Sequence, residues 1–191
     1  MPFWNFIQNK TDPNAAELRI DGDIVMDDDF WALFFGGSAV TPRGFMAELE
    51  KYAGKDITVR DREKRTLLIN AAIEGAADIV GLLISRGADL NGQDNDGKSA
   101  LHFAAREKQS AVLDQLIKAG AKVDIQDQDG NTPLSDAVFE AREDGSMIEK
   151  LLTAGADPKL RNRHGVSPLE LAESIDNYDL LKYFKRSSAK K

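Results

Sequence analysis

The stretch from Asp94 to Gln126, DNDGKSALHFAAREKQSAVLDQLIKAGAKVDIQ, is 33 residues long and has a copy on each side. Asp61 to Gln93 and Asp127 to Arg161 follow the same pattern, and Asn162 to Phe184 follow its first two-thirds. A fixed period near 33 means an array in which one supersecondary unit stacks on copies of itself. Such an array is a scaffold that binds, and nothing in the repeated residues signals catalysis.

Each unit opens with a turn: Asp94-x-x-Gly97, Asp127-x-x-Gly130 and Asn162-x-x-Gly165, with Lys64 in place of Gly in the first. A first helix follows, over Thr66–Ala72, Ser99–Ala105, Thr132–Val138 and Ser167–Glu173. Ser or Thr caps it, and Pro133 and Pro168 stand at its first position, where the missing amide has no partner anyway. A second helix repeats Ile79, Val80 and Leu83 as Val112, Leu113 and Leu116, then as Met147, Ile148 and Leu151. It ends at Gly87-Ala88, Gly120-Ala121 and Gly155-Ala156, with Gly at the left-handed position past the helix. The third unit has 35 residues, and its two extra lie in Glu140–Ser146, predicting a longer first helix or inter-helix loop. The fourth lacks the Gly-Ala ending, as a terminal cap would. Ser187 to Lys191 reads as a frayed tail within a basic segment 185–191.

These residues resemble ankyrin repeats. The resemblance implies a mostly α fold, a four-unit solenoid over 61–184 (61–93, 94–126, 127–161 and 162–184). It also implies that a protein partner meets the turn tips and the exposed ends of the first helices along one concave face. By position those are Arg62, Glu63, Arg65, Ile73 and Glu74; Asn95, Asp96, Lys98, Arg106 and Glu107; Gln128, Asp129, Asn131, Phe139 and Glu140; Arg163 and His164. Most of these also read as solvated surface. Ile73 and Phe139 stand out, because an apolar side chain has less reason to be there.

Composition shifts near Arg60. Residues 1–60 hold 9 of the 14 aromatics, and no Gly, Pro or Ser lies between Asp56 and Thr66 to make a flexible link. Ala16–Val25 alternates as a strand, Thr41-Pro42 opens a helix through Tyr52, and Ile57 and Val59 give a second short strand. The order predicts a small βαβ-type head. FWNFI, AELRIDGDIV, Gly36-Gly37 and SAVTPRGFMAELEKYAGKDITVR resemble the opening of Clp-type serine peptidases, especially the phage head-maturation branch. That resemblance covers residues 3–60 and implies a bacterial or phage origin. In that family the last strand runs into an oxyanion-hole turn, with the nucleophile and base later. The chain departs at Asp61, so the resemblance implies descent without a triad.

Composition sets further bounds. The net charge of −7 argues against sequence-independent nucleic-acid binding. There is no Cys, hence no disulfide, zinc thiolate or Cys nucleophile, and the lack fits a reducing, cytoplasmic setting. The first residues have no basic and apolar signal-peptide regions, and no apolar run reaches membrane-span length. His102 falls in the Leu-His slot, where the resemblance implies hydrogen bonds to backbone. His164 sits at a turn tip beside Arg161 and Arg163, and neither His has a ligand-spaced partner. Asp89, Asp94, Asp124, Asp127 and Asp157 recur at the period and read as turn residues that accept from nearby amides. Asp27, Asp28 and Asp29 read as a solvated loop, with metal binding the minority reading. Gly36-Gly37 alone is too weak for a phosphate loop.

The expectation is a non-catalytic, cofactor-free interaction protein, with an inhibitor or immunity-type role in view. The alternatives are an assembly or targeting subunit that pairs with a Clp-type peptidase through its head, a degenerate peptidase, and a fusion at Arg60/Asp61 with no function of its own. In the first unit Leu67, Ile69 and Leu82 are apolar where later units are small or polar, so the head is expected to cover that unit.

Overall fold

The computed structural model describes Val25–Met26, Arg60–Asp61 and residues 63–176 and 178–188, with the side chains of 186–188 left aside. The helix, the second strand at Ile57 and Val59, and all of the first strand but Val25 lie outside these residues, as do the Asp27–Asp29 run, Gly36-Gly37 and Arg62. Strand β1 (Val25–Met26) pairs in parallel with β2 (Arg60–Asp61), Val25 opposite Arg60 and Met26 opposite Asp61.

Helices α1 (Leu67–Ile73), α3 (Ala100–Arg106), α5 (Pro133–Glu140) and α7 (Pro168–Ser174) are the first helices of four pairs. Their partners are α2 (Ala77–Ser85), α4 (Ser110–Lys118), α6 (Ser146–Thr153) and α8 (Leu181–Ser188). First helices pack on first helices and second on second, so the pairs stack in two rows. The apolar repeat explains the stacking. Ile79, Val80, Leu83, Val112, Leu113, Leu116, Met147, Ile148 and Leu151 are all buried, and Ala71, Ala72, Ala104 and Ala105 keep the first helices close. Thr66, Ser99, Thr132 and Ser167 take the N-cap positions. Ser167 and Glu170 cap reciprocally: Glu170 N donates to Ser167 Oγ at 3.3 Å and Ser167 N to Glu170 Oε2 at 2.9 Å. Gly87, Gly120 and Gly155 have positive φ, and Ala88, Ala121 and Ala156 donate back to Leu83, Leu116 and Leu151.

The two extra residues of the third unit are shared between helix and loop. Helix α5 has 8 residues against 7 in α1 and α3, and the loop turns through Arg142 at φ 48°. The loop is held by the last helix: the Tyr183 hydroxyl donates to Glu143 O at 3.1 Å, and its ring lies where a Cβ on Gly145 would be. Helix α8 runs on to Ser188, into the segment expected to be a basic tail.

The register reaches back past Asp61. Gln93 Nε2 donates to Gly97 O and to Gln126 O, and Gln126 Nε2 donates to Gly130 O and Arg161 O. Arg60 does the same with Nη1, to Lys64 O at 2.7 Å and Gln93 O at 2.9 Å. Arg60 thus belongs to the repeat as its first rung.

Of the three apolar substitutions in the first unit, Ile69 needs no cover upstream. His102 occupies the same slot and bonds to Asn131 of the next unit, so the slot faces forward. The slot of Leu82 faces backward: Gln115 there lies against Gly81, and Lys150 reaches Asp114. Leu82 is half-buried. The expectation that the upstream segment covers Leu82 is tested by deleting residues 1–59, which also removes the strand beside Arg60–Asp61. Full burial of a Leu is worth roughly 1.5–3 kcal/mol. With each kcal/mol worth about 2–4 °C in a chain of this size, a drop in melting temperature of several degrees is expected. An unchanged melting temperature and hydrodynamic size would show that the first unit closes the array alone.

Candidate functional site

The turn tips are built by one device repeated. Asp61 Oδ1 accepts from Glu63 N and Arg65 N, at 3.0 and 2.8 Å. Asp94 Oδ1 accepts from Asp96 N and Lys98 N, Asp127 Oδ1 from Asp129 N and Asn131 N, and Asn162 Oδ1 from His164 N and Val166 N. The expected role of these aspartates as turn residues is thereby seen in atoms. Asp89 and Asp157 accept from Asn91 N and Lys159 N in their own turns. Asp124 differs, reaching forward to accept from Asp157 N of the next unit.

Successive tips are joined through backbone. Asn95 N donates to Glu63 O at 2.8 Å, Gln128 N to Asp96 O at 2.9 Å, and Arg163 N to Asp129 O at 2.8 Å. This close approach explains Gly97 and Gly130. Their φ values are 78° and 80°, and a Cβ would stand 2.7 Å from Gln128 N and 2.9 Å from Arg163 N. The tips therefore form one continuous edge, beside the exposed ends of the first helices.

Among the residues expected on this face, Glu63, Glu74, Asn95, Asp96, Arg106, Glu107, Gln128, Asp129, Phe139, Arg163 and His164 are exposed. Phe139 is 71% exposed, and with Val166 it is one of two exposed large apolar residues among those described. Ile73 and Glu140 are half-buried, and Ile73 packs on the core beneath.

Several of the residues are tied up within the array, among them Gln128, whose Nε2 donates to Asn95 O. Arg65 Nε meets Asp61 Oδ2 at 2.7 Å, and Arg65 Nη2 meets Glu63 at 3.0 Å. Asn131 Oδ1 accepts from Asn162 Nδ2 at 2.8 Å. Lys98 Nζ lies 2.7 Å from Asp127 and 3.4 Å from Asp136, so it bridges two units from a largely buried position. Its slot is that of Arg65, but Arg65 turns to its own unit and Lys98 to the next.

Asp136 was not legible as a site residue, since Asn70, Phe103 and Leu171 fill the same slot. Burial drives its pKa up to about 6 against the pull of Lys98, because one ammonium serves two carboxylates. For Asp127 burial acts upward too, but the Lys98 ammonium and the Asn131 amide together hold it below the usual range.

His102 is fully buried. Its Nε2 donates to Asn131 O at 3.1 Å, and its Nδ1 accepts from Ser99 N at 3.1 Å. The backbone bonds implied for this slot are present, and both ring nitrogens are used. Burial drives its pKa down to about 4. Among the described residues no group of His, Asp and Glu is placed to hold a metal ion, and no helix is long and apolar enough to cross a membrane.

Residues 40–127 match the family model described as ankyrin repeats in three copies, and residues 129–163 match the model of a single ankyrin repeat. Together the matches take in well over half of the chain. The first begins ahead of Asp61, in keeping with the repeat register at Arg60. No curated protein matches the chain.

Proposed function

We propose that this chain, which belongs to the ankyrin-repeat family, is a non-catalytic module that holds a protein partner on the face made by its turn tips and first-helix ends. Ankyrin repeats are in general protein–protein interaction modules, which supports the class of function. The observation that carries the location is Phe139. A side chain this apolar and 71% exposed, on a helix whose other large apolar groups are buried, contributes little to folding and is available to a partner. Arg106 is exposed in the same slot one unit earlier, and Arg and aromatic side chains are the common anchors of interfaces. The fourth helix pair lies past the family matches, and we read it as the terminal unit that closes the array.

Phe139→Ala is expected to leave the urea midpoint within about 0.5 kcal/mol of wild type. It should weaken partner binding by about 2 kcal/mol or more, some thirtyfold. Parallel pull-downs from the source organism with wild type and Phe139→Ala test this. A bound chain lost with the variant supports the face. A chain retained equally by Phe139→Ala and Arg106→Ala, or a large fall in midpoint, overturns it.

A further inference from the structure

The exposed face around Phe139 is flanked by two columns of carboxylates that follow the repeat. Glu63, Asp96 and Asp129 occupy one slot at successive turn tips, and all are exposed. Glu74, Glu107 and Glu140 occupy one slot at the ends of successive first helices. The tip-to-tip backbone bonds fix the first column at one carboxylate per unit. Among the described residues, ion pairs reach two of these six carboxylates, Glu63 and Glu107. Arg65 is shared between Asp61 and Glu63, Lys98 between Asp127 and Asp136, and Arg106 pairs with Glu107 at 3.4 Å. Phe139 directly precedes Glu140 of the second column, and Asp136 stands one turn from it on the same side of α5.

We propose that the occupant of this face is a basic segment of a protein partner, laid across the first three units, with Lys or Arg side chains toward the two columns and an apolar or Arg side chain over Phe139. This rests on the binding face proposed above. Charge complementarity selects the chemistry: Glu74, Asp96, Asp129 and Glu140, which have no ion pair among the described residues, favour a cationic chain and repel an acidic one or a nucleic-acid backbone. The ring favours the same partner, since a guanidinium over an aromatic face gains a cation–π contact while pairing with a carboxylate alongside. The fourth unit sets the end of the segment. There the tip carries Arg163 and His164, and the helix-end slots carry Ser174 and Ile175, so both columns stop.

The test is selection of binders to the full chain from a displayed library of random 16-residue peptides, followed by anisotropy titrations of the enriched peptides at two salt concentrations. The variants are Phe139→Ala, the triple Glu74→Gln/Glu107→Gln/Glu140→Gln, and a triple of equal charge change off the face, Asp78→Asn/Asp89→Asn/Asp176→Asn. Enriched peptides are expected to be rich in Lys and Arg. They should bind about tenfold or more weakly to Phe139→Ala and to the glutamine triple, with a shallower salt dependence for the latter. The off-face triple should change binding by less than about threefold. Neutral or acidic peptides that still lose binding with Phe139→Ala would overturn the basic partner and leave the face standing. Peptides indifferent to both face variants, or no enrichment at all, would overturn the face as well.

Discussion

Asp127→Ala is expected to cost about 3–5 kcal/mol, well above the cost of the same change at Asp94. The carboxylate does three things at once. Its Oδ1 accepts from Asp129 N at 3.0 Å and Asn131 N at 2.8 Å, and its Oδ2 holds Lys98 Nζ at 2.7 Å. The side chain is buried, so water cannot replace it cheaply. Truncation leaves two tip amides without their acceptor and a largely buried ammonium with only Asp136 at 3.4 Å. Asp94→Ala removes the same pair of amide bonds from a half-buried tip with no cation on the carboxylate, and is expected to cost about 1–2 kcal/mol. Urea midpoints at pH 7 give the ranking. A double-mutant cycle with Lys98→Met then isolates the ion pair, since the cost of losing Asp127 should shrink once no ammonium is left behind. Equal costs at Asp94 and Asp127 would show that the Lys98 bridge adds nothing.

How far the sequence led depends on whether a role repeats. The caps, the buried second-helix triplets, the turn aspartates and the Gly-Ala endings recur every 33 residues, and each is seen where the period put it. A local rule with several copies checks itself. The Lys98–Asp127–Asp136 bridge occurs once, and nothing in the period distinguishes Lys98 from an exposed tip residue. Arg65 fills the same slot with a longer side chain that folds back on Asp61, so chain length and the presence of Asp136 decide where the cation goes. The start of the array was hidden differently. The shift in composition at Arg60 pointed to a boundary, whereas the side-chain bonds of Arg60 match those of Gln93 and Gln126, because an Arg can donate to the same two carbonyls as a Gln. The slots at the turn tips and helix ends were legible, and the burial of the residues in them was not: Ile73, Arg106 and Phe139 share a position, yet Ile73 is drawn onto the core and the other two stay in water.

Acidification is expected to separate two buried groups that oppose each other in the wild type. His102 is neutral in the fold, since Nδ1 faces the Ser99 amide and burial disfavours the imidazolium. Its pKa is depressed from 6.5 to about 4, so the stability it contributes is full above 6.5 and is lost as pH falls toward 4, an amount of about 3 kcal/mol. Asp136 runs the other way. Burial raises its pKa from 3.8 to about 6, so the stability of its neutral form is present below 3.8 and lost as pH rises through 6, again about 3 kcal/mol. Going from pH 7 to pH 4, the loss at His102 is offset by the gain at Asp136. Asp136→Asn fixes the neutral form and removes the offset. Between pH 7 and pH 4 this variant should therefore lose about 3 kcal/mol more than wild type, with its advantage greatest at pH 7 and gone at pH 4. His102→Gln should do the reverse, growing more stable relative to wild type as pH falls. Urea titrations at the two pH values for all three chains measure both differences. Parallel pH profiles for Asp136→Asn and wild type would mean that Asp136 titrates as an ordinary exposed carboxylate, and that Lys98 with water compensates its charge in full.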